Sequence, residues 1–565
     1  MPRSRASHAV RAPTGSKAHV YKERGPRSHA ERGRVSTKGQ QPLTWTRRRA
    51  IGGGLAAAGS LFAPRALFAG GSHSVARTTF GDVRGFVEQG INVFRGIRYG
   101  TDTRDRRFMP PLSPERREGV SDAFEYGPAA PQDGTDERIS EDCLFLNVWT
   151  PGVDNARRPV MFYIHGGAYS HGSGSSPLYD GKALASAGDV VVVTVNHRLN
   201  AFGYLYLRRF EDGRFPDSGN CGQLDLVLAL EWVRDNIAAF GGDPERVLAF
   251  GQSGGGAKIA TMMAMPAAAG LFQRAASMSG QQVTVSGPAN ATARARVYLD
   301  AIGVSPERIE TLRTLPLDRL LAGLDAADPV LPYGSVYFGP VLDMRSLERH
   351  PFYPDAAPQS ANIPMIIGNT HDETRAFLRG PKYQDLEWRD LPALLIPNMR
   401  VDIRPEYVVA RYREWYPDYS PTQVFFAATT AARSWRAAII EAEERAKQAG
   451  AGTFVYQLDW PSPLEPAMGA PHTFDIPLVF GTLAAPGSIT GTGKDARAMS
   501  SILQKAFVAF VHSGSPDHDG IPPWRPYTLA RRETLIVDLP PRMENDPRGA
   551  ERRLFARVPY VQPGT

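Results

Sequence analysis

Two cysteines, Cys143 and Cys221, are all that the 565 residues contain. A disulfide framework is therefore excluded, and no Cys/His grouping has the spacing of a metal site. No run of 18 apolar residues occurs, so no stable membrane span is expected. No internal repeat is visible. An excess of basic charge is missing from most of the chain. The formal net charge of +7 arises from residues 1–72, where 14 Lys/Arg face 2 Asp/Glu, and the remainder carries 51 against 56. The basic excess sits in a tail and the body is mildly acidic, so no nucleic-acid partner is expected.

What the chain does have is apolar content, 42% of residues, enough for a sizeable core, together with a loop-rich 55 glycines and 47 prolines. Length alone suggests about three or four domains; the motif spacing argues instead for a single catalytic unit, 73–565, with long insertions. Residues 1–43 are polar and basic, which predicts disorder. Thr46-Arg47-Arg48-Arg49-Ala50-Ile51, the modestly apolar stretch Ile51 to Ala63 and the small-residue run Ala66 to Gly71 resemble a twin-arginine export signal. As a helix that apolar stretch spans about 20 Å, short of a ~30 Å bilayer core. The expectation is an exported protein, with residues 1–72 a basic tail plus a signal cleaved near Ala69. An uncleaved basic tail or membrane-proximal anchor is the alternative.

The chemistry is signalled by Gly251-Gln252-Ser253-Gly254-Gly255, directly after the apolar run Val247-Leu248-Ala249-Phe250 and ahead of a helical stretch from Ala257 to Met265. A serine on a tight strand-to-helix turn projects its hydroxyl out of a sheet, and flanking glycines let the backbone pass without a Cβ clash. The following helix start offers N–H groups to a developing oxyanion. A second strand, Val160-Met161-Phe162-Tyr163-Ile164, ends in His165-Gly166-Gly167-Ala168-Tyr169. Glycine amides in such a turn, at Gly166 and Gly167 with Gly254, are candidate oxyanion donors.

These motifs resemble the type-B carboxylesterase family, which also holds the cholinesterases and the bacterial para-nitrobenzyl esterases. Further matching segments are Gly81-Asp82-Val83-Arg84-Gly85, Phe94-Arg95-Gly96-Ile97-Arg98-Tyr99, Glu141-Asp142-Cys143-Leu144-Phe145-Leu146-Asn147-Val148, Gly219-Asn220-Cys221-Gly222, Phe240-Gly241-Gly242-Asp243-Pro244, Trp524-Arg525-Pro526-Tyr527 and Asn545-Asp546-Pro547. The resemblance implies an α/β-hydrolase fold: a mostly parallel central sheet flanked by helices, with a small N-terminal antiparallel sheet from 76–125. It implies a triad of Ser253, an acid at Glu373 (with Asp372 the adjacent alternative) and the base His472 in Gly469-Ala470-Pro471-His472-Thr473-Phe474-Asp475. Ser279 matches a family serine that hydrogen-bonds the acid. His371, His512 and His518 are poorer candidates for the base.

The implied activity is ester hydrolysis through an acyl-enzyme on Ser253, acting on a small-molecule ester without metal or organic cofactor. The alternatives are an amide- or carbamate-cleaving serine hydrolase of the same fold, or a non-catalytic cholinesterase-like binding protein. The chain departs from the family at Gln252, where glutamate is usual, at Gly254, where alanine is usual, and at Lys258, where serine is common. Ala130 stands where the family has the cysteine that would bridge Cys143. Both cysteines then read as buried and reduced, with a Cys143–Cys221 bridge still open.

Strands are expected near 144–149, 159–164, 189–196, 247–250, 363–367 and 453–458, and helices at 222–239, 257–265 and 498–512. Helical stretches in 281–340 and 380–450 should wall the site.

Overall fold

The run Val191-Val192-Val193-Thr194-Val195 has no face suited to water, and all five residues are buried, as parallel strands covered on both sides require. The computed structural model describes residues 72–210, 213–331, 334–562 and 564. Among them thirteen strands join one sheet: β1 (His73–Thr78), β2 (Gly81–Glu88), β3 (Ile91–Arg98), β4 (Val120–Asp122), β5 (Phe145–Thr150), β6 (Arg158–Ile164), β7 (Val191–Val195), β8 (Gly242–Gln252), β9 (Arg274–Met278), β10 (Met365–Thr370), β11 (Thr453–Leu458), β12 (Glu533–Val537) and β13 (Arg542–Asn545). Their spatial order is β1-β2-β3-β5-β7-β6-β8-β9-β10-β11-β12-β13, with β4 beside β2.

From β7 through β12 every neighbouring pair is parallel; the flanks are antiparallel except for the short β4, which runs parallel to β2. The expected N-terminal antiparallel strands are present as β1–β3, and they are continuous with the central sheet because β3 pairs with β5. The first four residues of β3, Ile91 to Phe94, are all buried, so this strand is covered on both faces and extends the core rather than standing apart.

Side chains alternate across the sheet with period two. Val160, Phe162, Ala249 and Ile367 meet the helices Cys221–Asn236 and Gly254–Met262 on one face. Met161, Tyr163, Phe250 and Tyr456 meet the helix Lys494–Ser513 on the other. Truncating one of these large buried side chains to alanine typically costs about 3–5 kcal/mol.

The helix after Ser253 begins at Gly254, three residues earlier than propensity suggests. Three successive glycines are poor helix formers, but close packing overrides propensity here: a Cβ on Gly255 would lie 1.9 Å from the Ile164 carbonyl oxygen, and one on Gly256 2.4 Å from Ser277 Oγ.

Both cysteines are free and buried, and burial pushes both thiols well above their ordinary range. The described residues cluster as one compact unit. The tail and export signal expected before Ser72 lie outside the described residues. No helix among the described residues is long and apolar enough to cross a membrane.

Candidate active site

The C-terminal ends of the parallel strands converge at one edge, where open α/β sheets bind ligands. β6 delivers Gly166 and Gly167, β8 Ser253, β9 Ser279 and β10 Glu373, and a loop beyond β11 brings in His472. Ser253 sits at φ 56°, ψ −125°, a sparsely populated conformation that costs about 1–3 kcal/mol. The surroundings hold it there: the Ser253 amide donates to the Met278 carbonyl at 2.8 Å, and the Ala257 amide donates to the Ser253 carbonyl at 3.0 Å.

The glycine turn after β6 lies against this elbow. A Cβ on Gly166 would stand 2.9 Å from the Gln252 carbonyl oxygen and 3.2 Å from Ser253 Cβ. Gly167 at φ +84° and Ala168 at φ 51° turn the chain back. No turn or loop hydrogen bond among the described residues uses the amide of Gly166, Gly167 or Gly254 as donor, so three N–H groups stand unengaged beside Ser253.

Lys258, one turn into the helix, is fully buried and donates to the Ala168 carbonyl at 2.7 Å and the His165 carbonyl at 3.4 Å. Burial pushes its pKa down from 10.5 to about 7.

The structure brings Glu373 and His472 together. His472 Nδ1 hydrogen-bonds Glu373 Oε2, and the other carboxylate oxygen accepts from the Thr370 amide at 2.9 Å and Asn369 Nδ2 at 3.1 Å. Burial alone would raise the Glu373 pKa, but the His472 charge and these hydrogen bonds together hold it below the ordinary value. A carboxylate at Nδ1 fixes the tautomer with its proton there, leaving Nε2 as the acceptor.

Asp372 turns away, paired with His371 at 3.1 Å and Arg375 at 3.3 Å and accepting from the Ala470 amide at 3.1 Å. His512 and His518 are tied to the Gly188 and Ile502 carbonyls, each through Nε2. Ser279 adjoins Glu373 and favours its ionised form, yet its buried hydroxyl makes no hydrogen bond of normal geometry. Ser279 stands beside the acid, as the resemblance implies, and its φ of 52° makes this residue part of the strained turn beside the elbow.

Two contacts escaped the sequence. Gln252 Nε2 stands 3.1 Å from His472 Nε2, so the amide occupies the acceptor that a base facing Ser253 would use. Phe377 packs against the imidazole at a tilt of 49°, with centroids 4.7 Å apart. Only the adjacency of Gln252 to Ser253 hinted at the first; no motif announced the second. Ser253, Gly254, Ser279 and His472 line a common cavity of about 310 Å³. Its far wall includes Gln281, Gln282, Leu331, Tyr337, Arg400, Arg433 and Ser434, from the stretches expected to enclose the site, together with Phe377 and the C-terminal Tyr560 and Gln562, which lie outside them.

Residues 72–555 match the model of the carboxylesterase family. The para-nitrobenzyl esterase of Bacillus subtilis (strain 168) is 35% identical over 503 residues, covering 85% of this chain and 98% of that protein. The phenmedipham hydrolase of Pseudarthrobacter oxydans is 33% identical over 489 residues, covering 82% and 94%. Among solved structures, the Geobacillus stearothermophilus carboxylesterase at pH 6.2 superposes with a TM-score of 0.77 at 36% identity, over 85% of this chain and 99% of that one.

Proposed function

Because the chain belongs to the carboxylesterase family, and is on that ground a carboxylic-ester hydrolase of α/β-hydrolase fold, we propose that Ser253 is its nucleophile, His472 its base and Glu373 its acid. The observation that carries this assignment is the buried Glu373–His472 hydrogen bond opening onto the same cavity as a serine held in a strained elbow. His472 Nε2 takes the Ser253 proton as the hydroxyl attacks the ester carbonyl, after the Gln252 amide yields that nitrogen. Hydrogen bonds of this kind commonly tighten only when substrate is bound.

The unengaged amides of Gly166, Gly167 and Gly254 receive the oxyanion, each such donor being worth about 3–4 kcal/mol in the transition state. His472 then protonates the leaving alcohol, and water repeats the cycle to release the acid. Glu373 stabilises the imidazolium and fixes its orientation.

The test is hydrolysis of 4-nitrophenyl acetate and butyrate by the full chain beside Ser253→Ala. Turnover that the substitution abolishes is the expected result; turnover that survives it would refute the assignment. The Arg47-Arg48-Arg49 segment and the apolar run after it support export of a catalytic unit, 73–565, by the twin-arginine route. Replacing all three arginines by lysine should leave the protein in the cytoplasmic fraction of its host, and unchanged export would overturn this reading.

A further inference from the structure

Two guanidinium groups line the catalytic cavity, Arg400 and Arg433. Neither forms an ion pair or a side-chain hydrogen bond among the described residues, and Arg400 Nε is buried without an acceptor. Arg433 lies over the Phe377 ring at 4.6 Å, and Phe377 packs at a tilt against His472, so this cation is one ring away from the base. A ring face satisfies the charge in part but none of the five N–H donors.

The carboxylates nearby do not answer it. Glu373 is committed to His472, Thr370 and Asn369. Burial pushes the Glu441 carboxyl up to about 8, and that group accepts from the Gln282 amide. The phenols of Tyr337 and Tyr560 share the wall, and both arginine charges act on each of them.

Leaving two cations together and unpaired in a partly buried wall is costly, and it happens here in a body that is otherwise net acidic. The planar guanidinium fork matches a carboxylate in two-point geometry. We infer that the catalytic cavity takes esters that carry a second, ionised carboxylate, held by Arg400 and Arg433 while the ester carbonyl faces Ser253. The inference rests on the esterase assignment above and names its substrate class. The reaction is ordinary hydrolysis: ester and water give alcohol and acid, and the held carboxylate leaves unchanged.

Three esters separate the possibilities at low salt with the full chain: 4-nitrophenyl butyrate, neutral; mono-4-nitrophenyl glutarate, charged in the acyl half; and 3-carboxyphenyl butyrate, charged in the alcohol half. One charged ester, set against its neutral counterpart with the same leaving group (phenyl butyrate for the last), should show a kcat/KM advantage of about tenfold or more, shrinking as salt is added. Which one wins identifies the half that the arginines hold. In Arg400→Met and Arg433→Met the charged-to-neutral ratio should fall at least about tenfold, and Arg433→Lys should restore part of it.

A variant-free readout is inhibition of wild-type butyrate hydrolysis, where glutarate should compete and glutaramide should not. Equal rates on charged and neutral esters, a preference that survives both methionine variants, or equal inhibition by glutarate and glutaramide would overturn the inference. With Ser253-dependent turnover of the neutral ester intact, that failure leaves the esterase assignment standing. Absence of any Ser253-dependent turnover overturns both.

Discussion

Lys258→Met should make this protein more stable and less active. The lysine is fully buried, and burial moves its pKa from 10.5 to about 7, a displacement worth about 5 kcal/mol against the folded state when the amine is charged. Methionine removes that penalty with little change of volume but forfeits the hydrogen bonds to Ala168 and His165, worth about 1–3 kcal/mol. The net gain at and below neutral pH is therefore about 2–4 kcal/mol, or about 3 °C in Tm for a unit of this size.

The sign with pH is fixed. An unfolded lysine keeps its proton up to about pH 10.5, whereas the folded one releases it from about 7. Between those values the unfolded state binds more protons, so wild-type stability rises relative to the variant by up to ~1.4 kcal/mol per pH unit. The gap should be widest at and below neutrality and close toward pH 10. His165, His171 and His197 face the amine and are held below their ordinary range by burial first and by its charge second, so they stay neutral across this window.

Denaturant melts of both proteins at about pH 6, 8 and 10 measure the gap. Initial rates should show kcat down about tenfold to a hundredfold, with KM changed far less, because the turn carrying Gly166 and Gly167 loses its anchor. A variant no more stable than wild type near pH 6, or a gap indifferent to pH, would refute the reasoning.

Glu373→Gln should lower kcat by about 10³–10⁴-fold with KM little changed, since the amide cannot hold the imidazolium in the same way. Because the native carboxyl is held below its ordinary pKa, the stability it contributes is present above about pH 4.5 and lost as pH falls through its folded value; acid melts should show the variant losing less on acidification. Gln252→Glu places a carboxylate where an amide now donates to His472 Nε2 and favours the protonated ring, so the acid limb of the kcat/KM profile should move up by about one to three pH units. Gly254→Ala puts a Cβ 2.1 Å from the Ala168 carbonyl oxygen, which should cost about 1–3 kcal/mol in a thermal melt and depress kcat as the turn shifts.

The backbone of the site was legible because its chemistry constrains local sequence. A strained serine between strand and helix needs glycines on both sides, and an oxyanion turn needs glycines that admit a backbone, so both announce themselves within a few residues. β6, β7, β8 and β11 were legible for a similar reason: strands buried on both faces are written as short unbroken apolar runs. Contacts between distant segments were not. Phe377 beside His472 and Arg400 come from loops, and Arg433 from the helical segment Ala431–Trp435, all placed by packing, and nothing in the order of residues near Arg400 or Arg433 separates a cavity wall from a solvated surface. The start of the helix at Gly254 was misplaced because propensity penalises three glycines that tertiary contact requires.

The two departures at Gly254 and Lys258 belong to one arrangement. The Ala168 carbonyl occupies the space that a side chain at 254 would need, its oxygen 2.1 Å from where a Cβ would stand. The same oxygen is the acceptor for the Lys258 ammonium at 2.7 Å. A serine at 258 could not reach across that distance from the helix, and with alanine at 254 the carbonyl could not lie there at all. A long donor at 258 thus draws the glycine turn down onto the helix start, and a bare backbone at 254 makes room for it. The cost is a buried amine with a depressed pKa. What it maintains is the relative position of three amides, at Gly166, Gly167 and Gly254, proposed above to converge on one oxygen. With Ser253 held at positive φ by the same helix and by Met278, the strain of the elbow and the burial of Lys258 serve a single geometric end: they fix in advance, in the resting protein, a polar surface that water would otherwise have to reorganise during reaction.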